Sequence, residues 1–82
     1  MKRVLFRPQA ARELEALPAR DRDLVEGAIE RFAATGIGDV KLLAGQERHY
    51  RLRAGDWRIR FIFENPAIIR IVNIRNRKEA YR

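Results

Sequence analysis

Eighty-two residues make one domain, 1–82, with room for a single thin core, because a chain this short buries only about 60% of the surface its unfolded form exposes. With no cysteine and one histidine, His49, a disulfide framework, a Cys-based zinc site and a His-cluster metal site are all excluded, and no cofactor is expected. The net charge of +7 is segregated: residues 1–45 carry eight basic and seven acidic side chains, residues 46–82 ten and four. A segregated basic excess points to a polyanionic partner, either nucleic acid or an acidic protein segment. In the second half every basic residue except Lys78 is arginine, the side chain that grips phosphate bidentately and stacks on bases. No apolar run suits a signal peptide or approaches the roughly 20 residues of a membrane span, so a cytoplasmic protein without membrane contact is expected.

Taken in chain order, residues 2–7 alternate as a short strand, with Val4 and Phe6 on one face. Pro8 then opens a helix, since the first helical position needs no amide donor. Ala10, Leu14 and Leu17 recur at helical spacing until Pro18 stops the run. A second helix is expected from Asp21 or Asp23, either able to cap it, with Leu24, Val25, Ala28, Ile29 and Phe32 as its buried stripe and Gly36 as its end. The segment from Gly36 to Lys41 reads as a loop.

The period then changes to two. Tyr50 and Leu52 alternate with His49, Arg51 and Arg53, and Gly55-Asp56 supplies a tight turn. In the next strand Trp57, Ile59, Phe61 and Phe63 share one face and Arg58 and Arg60 the other. Asn65-Pro66 makes a further turn, and Ile68 to Ile74 is apolar on both faces, as in a strand inside the sheet. The expected class is α+β in the order β-α-α-β-β-β: a small, mostly antiparallel sheet with a helical hairpin on one face, leaving the other for function.

Arg51, Arg53, Arg58 and Arg60 therefore gather on that open face. Nearby acids that would balance them are missing, because Glu47, Asp56 and Glu64 fall at strand ends or in turns. A phosphate-binding surface explains such a cluster; a merely solvated sheet face explains the alternation alone. Arg48, Arg77 and Lys78 extend the set expected to touch RNA. Tyr81 adds an aromatic among the tail cations, and aromatic and guanidinium planes are what single-stranded bases stack upon.

The run Lys41-Leu42-Leu43-Ala44-Gly45, followed by Tyr50-Arg51-Leu52-Arg53-Ala54-Gly55-Asp56-Trp57-Arg58-Ile59, resembles the K-x-L-x-G, Y-R-L-R-x-G-D-Y/W-R-V/I core of the RelE/ParE toxin superfamily. The ending Arg75-Asn76-Arg77-Lys78-Glu79-Ala80-Tyr81 is similar to that family's basic, tyrosine-bearing tail. The RelE branch implies the toxic half of a type II toxin–antitoxin pair. It implies cleavage of mRNA in the ribosomal A site by 2′-hydroxyl attack without metal, and a cognate antitoxin as partner. By resemblance Arg58 holds the reacting phosphate, Arg75 is a second catalytic arginine and Tyr81 stacks on or activates the nucleotide. Arg51 and Arg53 stand where well-known members carry lysine, and Asn76 where many carry histidine. Since arginine stays protonated, the base role passes to Tyr81, whose phenol surrounding cations would lower from its ordinary value. The other branch, ParE-like, shares the fold and implies a non-nuclease toxin that poisons DNA gyrase.

Overall fold

A computed structural model describes residues 1–45 and 48–77. Its elements are β1 (Arg3–Phe6), α1 (Pro8–Glu15), α2 (Ala19–Thr35), β2 (Asp39–Leu42), β3 (His49–Ala54), β4 (Trp57–Asn65) and β5 (Ile68–Asn76). The strands form one sheet in the order β1-β5-β4-β3-β2. β1 runs parallel to β5, and the other pairings are antiparallel. The expected class holds, with one strand more than the sequence disclosed. β2 occupies part of the segment read as a loop; Val40 packs against the core, while Leu42 on the same face stays exposed. Two alternations next to a glycine-rich loop are too few for a period to register.

Pro8 starts α1, whose Ala10 is fully buried. The second helix begins at Ala19, ahead of the expected Asp21 or Asp23. Pro18, held at φ −54° and ψ 148°, sits before the first turn and accepts the Arg22 amide through its carbonyl. Asp21 instead lies inside that first turn, where a carboxylate interacts favourably with the positive end of the helix dipole. The buried stripe is Val25, Ile29 and Ala33, with Ala28 and Phe32 beside it, whereas Leu24 is half-exposed. Gly36 ends the helix at φ 76°, and its amide returns to the Phe32 carbonyl, the left-handed cap that glycine adopts without strain. At Gly38 the chain passes close to Leu52 as it enters β2: a Cβ there would lie 2.9 Å from Leu52 Cδ1, which would have to shift.

The core lies between the hairpin and one sheet face. Phe61 is its centre, fully buried, with Phe32 at 5.2 Å, Tyr50 stacked at 5.5 Å and Phe63 edge-on at 5.5 Å. Tyr50, Leu52, Ile59 and Phe61 turn inward as their alternation indicates. β5 departs from simple alternation. Arg60 pairs with Asn73 but Phe61 with Ile71, so Val72 is an extra residue and the strand bulges there. That is why Ile69, Ile71 and Ile74 can all be buried, and why the run looked apolar on both faces. Among the described residues, no helix is long and apolar enough to cross a membrane.

Candidate active site on the open sheet face

The register aligns the arginines across strands. Arg53 on β3 is the partner of Arg58 on β4, and Arg58 is the partner of Arg75 on β5. A second row lies two residues along: Lys41 on β2, Arg51 on β3, Arg60 on β4 and Asn73 on β5. Adjacent strands sit about 4.8 Å apart and same-face neighbours about 6.8 Å apart along a strand, so five guanidinium groups and a lysine share one small surface. The bulge decides which side Arg75 joins. Residues 69, 71, 73 and 75 have one parity, and without the extra residue Asn73 and Arg75 would follow Ile71 into the core. Val72 resets the alternation and brings both to the open face.

Two acids reach this surface from elements outside the arginine strands, contrary to the expectation of an unbalanced cluster. Asp39 Oδ1 accepts a bond from Arg51 Nη2 at 3.2 Å; it comes from β2, the strand that the sequence reading missed. Glu13 comes from α1. Its Oε2 accepts from Arg75 Nε at 3.0 Å and its Oε1 from the Ile74 amide at 2.9 Å. β1 ends at Phe6, opposite Ile71, and Glu13 supplies the acceptor that β5 needs beyond that point. Sequence reasoning passed over Glu13, which reads there as one more polar residue on an amphipathic helix.

The other expected residues fall as follows. Arg53 donates through Nε to the Gly55 carbonyl at 3.2 Å. Arg60 is partly buried, and its Nε and that of Arg51 are enclosed without a hydrogen-bond acceptor among the described residues. Arg48 is exposed at the entrance to β3 with φ 59°. His49 is half-buried opposite Ile62, one row beyond Arg51 and Arg60. Arg77 is exposed, and its amide donates to the Asp56 carbonyl at 2.7 Å, which fixes the end of β5 against the β3–β4 turn. Lys78 and Tyr81 lie outside the described residues. On the hairpin side a groove of about 640 Å³ runs between α2 and β3, lined by Leu24, Gly27, Ala28, Ile37 and Leu52.

Residues 4–81 match the family described as the ParE toxin of the type II toxin–antitoxin system, parDE. The chain belongs to this toxin family. It is thus the toxin of a type II toxin–antitoxin system, within the RelE/ParE superfamily that its motifs resemble. Among solved structures it is similar to the RelB–RelE antitoxin–toxin complex from Methanococcus jannaschii, at 25% identity and TM-score 0.76, covering 94% of each chain. It also shares the fold of the isolated E. coli RelE toxin, at 18% identity and TM-score 0.76, over 99% of this chain and 92% of that one. The E. coli DinJ–YafQ complex aligns over 100% of both chains with TM-score 0.76 at 8% identity, which again speaks for the fold alone. Comparison with curated protein sequences gives no match. The Methanococcus jannaschii and DinJ–YafQ structures are complexes of a toxin with its antitoxin.

Proposed function

We propose that this toxin is a ribosome-dependent endoribonuclease that cleaves mRNA in the A site and so arrests translation. The observation that carries the reading is the row Arg53–Arg58–Arg75, three guanidinium groups in cross-strand register on an open face. In the reaction the 2′-hydroxyl oxygen loses its proton and bonds to the adjacent phosphorus, the bond from phosphorus to the 5′-oxygen breaks and that oxygen takes a proton from water, so that a 2′,3′-cyclic phosphate and a 5′-hydroxyl result. Negative charge builds on the phosphorane oxygens, and preorganised cations aimed at that charge supply the main rate gain. Arg58, central in the row, and Arg75 beside it take this role. Arg51 and Arg53 add positive charge around the leaving oxygen, and Arg48, Arg60, Arg77 and Lys78 hold flanking RNA. Tyr81 takes the 2′-hydroxyl proton or stacks on the nucleotide, as the resemblance implies.

The family match carries the ParE name, which favours a second reading, a gyrase poison without nuclease activity. The three guanidinium groups in cross-strand register support the nuclease reading over it. Brief expression followed by primer-extension mapping of mRNA ends separates the two. The nuclease reading expects breaks inside translated frames with cyclic or 3′-phosphate ends. Double-strand DNA breaks with intact mRNA would replace it by the gyrase reading.

A further inference from the structure

Arg75 is set by two devices, the bulge at Val72 and the carboxylate of Glu13. We propose that Glu13 is a positioning residue for the phosphate clamp, fixing the Arg75 guanidinium in the row; the proposal rests on the nuclease reading above. One carboxylate grips two consecutive residues of β5, the Ile74 amide at 2.9 Å and Arg75 Nε at 3.0 Å. A two-point grip removes the side-chain freedom that makes surface ion pairs weak. The Glu13 side chain is only 23% exposed. The backbone that carries it is fixed too, since Ala10 is fully buried and Leu14 packs against the core.

The chemistry of the contact fits that role. A bond through Nε leaves the two terminal nitrogens of the fork for a phosphate, and the Arg75 side chain is 43% exposed. Arg75 stands directly opposite Arg58, and like charges so placed repel. The carboxylate lies on the β1 side of β5, away from β4, so it holds the Arg75 guanidinium at one fixed place beside Arg58 and offsets the repulsion between them. Glu13 itself is no candidate base, because both its oxygens are engaged. The plain alternative is that Glu13 only satisfies the exposed edge of β5 at Ile74. Glu13→Gln separates the two roles, for its amide oxygen still accepts from Ile74 while the charge facing Arg75 is gone.

The test is single-turnover cleavage of ribosome-bound mRNA by the parental toxin, E13Q, R75A and the double variant, with ribosome affinity and melting temperature measured in parallel. E13Q should melt near the parental temperature, bind ribosomes as the parent does and cleave about 10- to 100-fold more slowly, the scale of a misplaced catalytic group. The double variant should be no slower than R75A, because Glu13 acts through Arg75. Parental cleavage by E13Q, or losses that multiply in the double variant, would overturn the proposal and leave the nuclease reading intact. An R75A variant with parental activity, or a parental toxin that leaves mRNA whole, would remove that reading and this one together. A measurement that needs no variant to fold is the NMR signal of Arg75 Nε–H in the parental protein. It should be resolved and protected from exchange, and a rapidly exchanging signal overturns the anchored geometry.

Discussion

Arg58→Ala tests the phosphate clamp most directly. Arg58 is the middle member of its row, flanked by Arg53 and Arg75. Removing one preorganised donor to a transition-state charge costs about 10²- to 10³-fold in rate, or about 3–4 kcal/mol. The stability effect should be far smaller. Two like charges about 5 Å apart repel by about 0.8 kcal/mol at the dielectric of water, and deleting the central cation relieves two such terms while losing the contacts of a half-buried side chain. The net change in unfolding free energy should stay within about 1 kcal/mol. Arg60→Ala is the control, since it removes the same charge from the same strand one row away. The assay is single-turnover cleavage on programmed ribosomes beside chemical denaturation of each variant. A large loss for Arg58→Ala with a small one for Arg60→Ala supports a specific clamp. Equal losses would refute the reasoning, because net charge would then carry the activity.

Three further outcomes are expected. Tyr81→Phe should lose about 10²- to 10⁴-fold in single-turnover rate if the phenol moves the proton; parental activity in Phe with none in Ala would reduce the residue to a stacking platform. Gly38→Ala brings a Cβ to 2.9 Å from Leu52 Cδ1, a terminal methyl beside the groove between α2 and β3, and should destabilise by no more than about 1 kcal/mol; a larger loss of melting temperature would mean that Leu52 cannot turn aside. With Asp39 and Glu13 cancelling two of the five arginines and one lysine on the face, binding of unstructured RNA should fall with log salt at a slope of about −3, roughly −0.7 for each of four phosphates; no salt dependence would argue against a phosphate-binding face.

Much of this fold was legible because its hydrophobic pattern is strong where segments are long. Trp57, Ile59, Phe61 and Phe63 alternate without error, and the cross-strand position of Arg53 and Arg58 follows from that alternation and the Gly55-Asp56 turn. Short or interrupted patterns were not legible. β2 offers only two alternations, Val40 and the exposed Leu42, and the start of α2 depended on whether proline or aspartate would stand at the cap. Leu24 has the composition of a stripe residue, yet it borders the groove between α2 and β3 instead of the core. One helical step separates those outcomes, and only packing decides between them.

The site shows the same division more sharply. The residue types in the rows were readable, but the fact that Arg75 joins them was not, because parity along β5 predicts the opposite face for it. A bulge has no reliable sequence mark when the extra residue is a valine inside an isoleucine-rich run. It became visible only when the burial of Ile69, Ile71 and Ile74 was set beside the register with β4. The same irregularity turns one face of β5 apolar to the core and then basic to the solvent within six residues. Glu13 then closes the arrangement from a helix 62 residues away in sequence. β3 and β4 contribute arginine by simple alternation, the bulge brings Arg75 of β5 into the same row, and the helix carboxylate holds it there. A sheet with the same composition but no bulge would keep its charge yet turn Arg75 toward the core, and the proposed clamp would lose its second arm.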